Sequence, residues 1–369
     1  MMGTAMNKHT ADLFSPLQLG PLRLPNRIVM APMTRNRAEA AGNIPSALAL
    51  EHYCQRASAG LIITEGSQVA PEGQGYPFTP GIHSAEQVAG WRRITAAVHA
   101  KGGRMFLQLW HVGRISHPCF QHNGAPPVAP SALKPAGQVY TFEGLKDFVT
   151  PRALELSEMP LVIEQFRSGA RNALDAGFDG VEIHGANGYL PDQFLRDGTN
   201  QRNDEYGGSI ANRARLMLEI TDAVCSVWGA DRVGLRLSPL NPFNDIRDSN
   251  PEATFSYVVE HLNRFGLAYL HITAMGADAP GAAGPAFDLR KLRALFKGTY
   301  MVNASYDKAR ANVALAAGDA DLVAFGVPYI ANPDLPERFA QDAPLNDAEL
   351  ATFYGGDAKG YTDYPALSD

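Results

Sequence analysis

"PLVIEQFRSGARNALDAGFDGVEIH", residues 160–184, carries the two periods on which the fold turns. Its first part sets Leu161, Phe166, Ala170, Ala173 and Leu174 at near-helical spacing, with Pro160 suited to a first turn and Gly177 to a stop. It then passes directly into "GVEIH" at 180–184, a short apolar run of the kind that forms a buried strand. A helix feeding such a strand is half of a parallel crossover unit.

The same alternation extends in both directions. Strand-like runs stand at 27–32 "RIVMAP", 60–65 "GLIITE", 104–110 "RMFLQLW", 233–237 "VGLRL", 268–272 "AYLHI", 299–303 "TYMVN" and 321–325 "DLVAF". With 180–184 they make eight. After the fourth, "SIANRARLMLEITDAVCSVWG" repeats the helical design, with Ser209 as N-cap and Gly229 as stop. Eight alternations predict an α/β protein with a closed (β/α)8 TIM barrel, and the 369 residues, free of any obvious linker, suit one domain over 1–369. Periodicity does not show closure, and a doubly wound open sheet fits the same pattern. Two pieces lie outside the count. Residues 13–27 read as an N-terminal hairpin that plugs the barrel bottom, and the proline-rich stretch of about 111–154, far longer than a usual βα loop, reads as an insertion over the active-site face.

The chain is 45% hydrophobic and 19% charged, with a net charge of −6 and no basic run, so it carries no footprint for nucleic acid or an anionic membrane. A small-molecule substrate fits better. Cys54, Cys119 and Cys225 are odd in number and widely spaced, which argues for a reducing compartment. The start lacks the apolar core of a signal peptide, and no window nears the roughly 18 apolar residues of a membrane helix, so a soluble cytoplasmic protein is expected.

In a barrel of this kind chemistry sits at the C-terminal ends of strands. Thr34, Gly66, Gln108, Trp110 and the His184, Asn187, Tyr189 cluster all fall there, as do Arg236 within "GLRLSP", "NASY" and "FGVPY". Arg236 is the sharpest signal, since a guanidinium inside an apolar strand needs a polar partner; Glu182 offers a purely structural one. A lone His184 is more often a satisfied core histidine, so the argument rests on convergence at one rim. His111, His117, Cys119 and His122 match no regular zinc spacing, and no metal site is expected. No G-x-S-x-G elbow is present.

From "LFSPLQLGPLRLPNRIVMAPMTRNRA" to "FYGGDAKGYTDYPAL", nearly the whole chain resembles the Old Yellow Enzyme family of flavin-dependent ene-reductases. The marking segments are "APMTR", "LIITEG", "QLWHVGRISHP", "VEIHGANGYLPDQFLRDGTNQRNDEYGGSIANRARLMLEI", "GLRLSP" and "VAFGVPYIANPDLPERF". The resemblance implies a TIM barrel with noncovalent FMN at its C-terminal rim, reduced by NAD(P)H and reoxidised by an electron-poor alkene. His184 and Asn187 would then bind the substrate's carbonyl or nitro oxygen, and Tyr189 would deliver a proton to the α-carbon. Pro32, Met33, Thr34, Gly66, Gln108 and Arg236 would line the flavin ring, and Tyr76, Trp110 and Tyr354 the substrate pocket.

At the phosphate end the chain departs from the family. Where relatives commonly carry Gly-Arg after strand eight and often a glycine turn after strand seven, it reads Gly326-Val327 and Ala304-Ser305. Backbone donors there can still hold a phosphate, without the usual cation. A related barrel that reduces dienoyl thioesters would need a cysteine cluster for iron–sulfur, which three scattered cysteines cannot supply. The competing class is a non-catalytic barrel scaffold that has lost its flavin. Substrate identity, nicotinamide preference and the choice between monomer and homodimer are not written in these residues.

Overall fold

β-Branched and aromatic residues between helical segments fold as eight short parallel strands: β1 (Ile28–Met30), β2 (Leu61–Gln68), β3 (Met105–Trp110), β4 (Gly180–His184), β5 (Val233–Leu237), β6 (Tyr269–Thr273), β7 (Tyr300–Asn303) and β8 (Leu322–Phe325). In this computed structural model, which describes residues 11–275 and 287–367, β8 pairs back onto β1 and the sheet is a closed barrel. Closure removes the open-sheet alternative. Each run singled out in the sequence is a barrel strand, with ends shifted by up to a few residues.

The lower barrel interior is filled by Val29, Leu61, Ile63, Phe106, Tyr269, Met301 and Leu322. Leu19 and Leu24 belong to the same cluster. They come from an antiparallel hairpin, Leu17–Leu19 with Leu22–Leu24, which is the expected plug. The stretch 111–154 contains a second hairpin, Gln138–Thr141 with Gly144–Asp147, and Val139 and Phe148 from this region pack with Trp110 and Tyr189. The insertion therefore packs against two of the rim residues.

Helices surround the barrel. Met159–Asp175 buries Met159, Val162, Phe166, Ala170 and Ala173, a stripe at steps of three and four. Leu161 and Leu174, grouped above with the apolar face, are instead 58% and 46% exposed. Each lies one residue off the stripe, a rotation of about 100° that carries it toward water. Ile210–Trp228 starts at Ser209, whose side chain accepts from Asn212 N–H, and stops at Gly229 with φ 76°. No helix among the described residues is long and apolar enough to cross a membrane.

Candidate active site

Strand register brings the polar side chains to one level. His184 of β4 lies opposite Arg236 of β5, Arg236 opposite His271 of β6, and Glu182 opposite Gln108 of β3. Residues two apart share a face of a strand, so Glu182 and His184 both point inward, one above the other. Above them opens a pocket lined by Pro32, Thr34, Gly66, Gln108, Trp110, His184, Asn187, Tyr189 and Arg236. All nine were singled out in the sequence.

The floor of this pocket is a network that periodicity could not reveal. The Glu182 carboxylate accepts from Gln108 Nε2 and from His271 Nδ1, each at 2.8 Å. Burial alone would raise the Glu182 pKa, but the His271 contact, Arg236 and Gln108 outweigh it and hold the carboxyl below its ordinary value. An ionised carboxylate only accepts, so His271 Nδ1 carries the hydrogen. Among the described residues Arg236 makes no direct ion pair with Glu182; its NH2 group donates to Asn303 Oδ1 at 2.8 Å, and Asn303 Nδ2 donates to the Ala324 carbonyl. Arg236 is thus steadied by a neutral amide, and its Nε has no partner. Gln108, with Nε2 committed to Glu182, keeps its carbonyl oxygen for the pocket. Glu182 was expected only as a structural partner of Arg236, and His271 and Asn303 carried no signal of their own, because each is a single polar residue in an apolar strand, significant only through its neighbours.

The His184–Tyr189 loop is sharply bent, with Asn187 at φ 59° and Gly188 at φ 75°, both left-handed. Asparagine tolerates that region better than most residues. Gly188 N–H donates to Asp192, which forms a fully buried ion pair with Arg196 at 2.8 Å, and Arg196 reaches on to the Pro239 carbonyl. This ties the loop after β4 to the loop after β5. Burial drives the His184 pKa well below 6.5, and the Arg236 charge adds to the effect. The ring is neutral at physiological pH and can donate a hydrogen bond without charge.

Aromatic rings form the outer wall. Trp110 stacks on Tyr76 at 5.8 Å and meets Tyr189 edge-on at 5.1 Å, and Tyr189 meets His184 edge-on at 4.9 Å. Gly66 is required here, because a Cβ at that position would come within 2.7 Å of the Trp110 indole. Tyr354 lies on a C-terminal segment held over the rim by arginines of the loop after β1. Arg35 donates to the Phe353 and Gly360 carbonyls, and Arg37 to that of Asp357. Tyr354 itself is 66% exposed.

Met33, Ala304, Ser305, Gly326 and Val327 lie outside the pocket lining. A Cβ on Gly326 would meet Met33 Sδ at 3.7 Å, which places Met33 beside the loop after β8. Ala304 and Ser305 hold φ of 93° and 56°, backbone angles that favour glycine. The turn expected of a glycine sequence is therefore kept although the glycines are not. Val327 is 55% exposed.

The fit to a flavin can be judged from donors without partners. Trp110 Nε1, His184 Nδ1 and Arg236 Nε are buried and make no hydrogen bond. Buried polar groups are rarely left so, and three on one pocket mark a place for a polar planar ligand. The residues present fit the group.

Residues 12–346 match the family described as NADH:flavin oxidoreductase / NADH oxidase. The chain is 47% identical to a putative 12-oxophytodienoate reductase 11 of Oryza sativa subsp. japonica, over 97% of this chain and 98% of the relative. It is 44% identical to 12-oxophytodienoate reductase 2 of Arabidopsis thaliana, over 99% and 98%. Among solved structures it resembles morphinone reductase in complex with tetrahydroNAD, with 50% identity, coverage of 96% and 98%, and a TM-score of 0.91. An old yellow enzyme homologue from Zymomonas mobilis is similar at 43% identity, coverage of 96% and 100%, and a TM-score of 0.93.

Proposed function

Since the chain belongs to the NADH:flavin oxidoreductase / NADH oxidase family and is an NAD(P)H-dependent flavin oxidoreductase of the Old Yellow Enzyme type, we propose that it reduces the C=C bond of α,β-unsaturated carbonyls, maleimides or nitroalkenes. Membership removes the scaffold alternative. Bound FMN supplies hydride transfer through its N5 position. The protein's part is to bind, orient and protonate.

Thr34, Gly66, Gln108 and Arg236, with Pro32 and Met33 beside them, would hold the ring. Arg236 is a fixed cation without a paired carboxylate, suited to the pyrimidine edge where a reduced ring carries negative charge. Ala304, Ser305, Gly326 and Val327 would offer backbone donors to the phosphate.

The observation that carries the alkene reading is the meeting of His184, Asn187 and Tyr189 in one small pocket. The two nitrogen-bearing side chains would donate to the substrate's carbonyl or nitro oxygen, favouring the negative charge that builds there as hydride reaches the β-carbon. The Tyr189 hydroxyl would give the α-carbon its proton. Burial raises its pKa to about 12, so the proton is retained across the working range. Trp110 would supply a flat wall for flat substrates, backed by the Tyr76 ring stacked on it, with Tyr354 on the segment over the rim. The relatives' names support the reading, since 12-oxophytodienoate and morphinone both carry a ketone. We also place the protein in the cytoplasm, where the free Cys54, Cys119 and Cys225 suit a reducing milieu.

The test is anaerobic. NAD(P)H should bleach the visible absorbance of the FMN-loaded protein, and one equivalent of 2-cyclohexenone, N-ethylmaleimide or a nitroalkene should restore it with formation of the saturated product. If none of the three restores the colour faster than buffer, the alkene reading is wrong.

A further inference from the structure

An amide side chain has a donor end and an acceptor end, and only one of them can serve an oxyanion. The structure determines which end Asn187 presents. Phe243 N–H donates to Asn241 Oδ1 at 3.1 Å, closing a local turn in which a side chain bonds the backbone two residues on. A backbone N–H can only donate, so the Asn241 oxygen must face it. That leaves Asn241 Nδ2 to point away, and it donates to Asn187 Oδ1 at 2.9 Å. With its oxygen committed, Asn187 has only its NH2 group left, and that group makes no hydrogen bond to the described residues. The fixed Phe243 N–H donor thus sets which end of each amide faces which partner.

Two further contacts hold Asn187 while its amide is oriented. Its N–H donates to Ser238 Oγ at 2.7 Å, and its carbonyl accepts from Asn244 Nδ2 at 2.8 Å. We propose that Asn241 is a positioning residue that fixes the polarity of the Asn187 amide and so makes the pocket selective for hydrogen-bond-accepting substrates. Asn241 touches no substrate itself. The inference rests on the reading of Asn187 as a ligand of the substrate oxygen.

Three variants of the FMN-loaded protein test it, with 4-chlorophenol as the probe and the shift of the flavin spectrum as the readout. Asn187→Gly removes the amide while tolerating φ 59°. It should weaken 4-chlorophenol binding about ten- to a hundred-fold, the range for losing one hydrogen bond to a charged acceptor. Asn241→Asp is nearly isosteric but accepts where Asn241 donates, so it should turn the Asn187 NH2 toward itself and the Asn187 oxygen toward the phenol. It should therefore bind 4-chlorophenol more weakly than Asn241→Ala, which leaves the Asn187 amide free to choose. A packing role predicts the reverse order, because alanine leaves a hole and aspartate does not. Adding Asn187→Gly to Asn241→Asp should bring the affinity back up to that of Asn187→Gly alone.

Unchanged binding in Asn187→Gly would sink the reading of Asn187, whatever Asn241 does. Weakened binding there, together with Asn241→Asp no worse than Asn241→Ala, overturns the positioning role alone. So does a double variant no tighter than Asn241→Asp, which would assign the loss to the added charge rather than to the amide.

Discussion

The hydroxyl oxygens of Tyr76 and Tyr189 stand 3.3 Å apart, joining a residue of the loop after β2 to the residue that ends the bend after β4. Burial raises both phenols above their ordinary pKa; Tyr189 pushes Tyr76 up further, whereas the hydrogen bond with Tyr76 partly opposes the rise at Tyr189. The pair is a protonated reservoir at the mouth of the pocket. Its members are not equivalent, since Tyr189 lines the pocket and Tyr76 lies behind it.

Tyr189→Phe should slow alkene reduction by about a hundred-fold or more while leaving flavin reduction by NAD(P)H nearly unchanged, because only the second half-reaction consumes that proton. Tyr76→Phe should cost far less. For the wild type the alkene half-reaction should show no alkaline fall from this group below about pH 11, since a raised phenol pKa keeps the donor form. Stopped-flow measurement of the two half-reactions decides it, and equal losses in both reject the role.

Glu65 provides a pH test of stability. Burial raises its carboxyl from 4.5 to about 7, and the Arg35 N–H with the charges of Arg35 and Arg37 only partly opposes this. The fold therefore holds a proton that the unfolded chain has released. The stabilising contribution is complete below the unfolded value of 4.5 and is lost as pH rises through about 7. Glu65→Gln keeps an acceptor for Arg35 N–H and cannot ionise. Its melting temperature should match the wild type near about pH 4.5 and exceed it at about pH 8.5. A gap that stays the same at both pH values contradicts the assignment.

Val327→Arg should tighten FMN binding by about one to two powers of ten, the range for one charge-assisted hydrogen bond to phosphate. The gain should shrink as salt rises. Fluorescence titration of FMN at low and high salt measures it, and no gain at low salt would mean that another cation already neutralises the phosphate.

Ala304→Gly should raise the melting temperature. A left-handed alanine costs about 1–2 kcal/mol, whereas glycine's extra freedom in the unfolded chain costs about 0.4–1 kcal/mol. At φ 93° the first cost should exceed the second. A lower melting temperature would show that this backbone is not strained.

Most of the fold was legible because each barrel strand is an apolar run bounded by turn residues, as in "GVEIH" and "DLVAF". The closed barrel was predicted from the count of eight alternations, but the closing contact itself was not visible, since pairing of β8 with β1 joins segments almost 300 residues apart and leaves no local mark. The site divides in the same way. His184, Asn187 and Tyr189 stand within six positions and announce themselves. His271 and Asn303 acquire meaning only when register sets them beside Glu182 and Arg236. Asn241 is harder still. It sits in "SPLNPFN", where an asparagine beside a proline reads as an ordinary turn former, and it is one as well.

The two ends of the barrel differ in what they allow an engineer to attach. The plug hairpin seals the lower end by packing Leu19 and Leu24 into the interior, away from the polar rim. The segment around Phe353 to Gly360 crosses the upper rim under the hold of Arg35 and Arg37. A tether or fusion partner joined ahead of Leu13 hangs from the closed end and leaves the mouth free for exchange of nicotinamide and substrate. A partner joined at the other end meets a second anchor first, since the Pro365 carbonyl accepts from Arg338 and Asn346 and Leu367 N–H donates to Asp334, so its pull reaches the strap that carries Tyr354 only once those bonds give way.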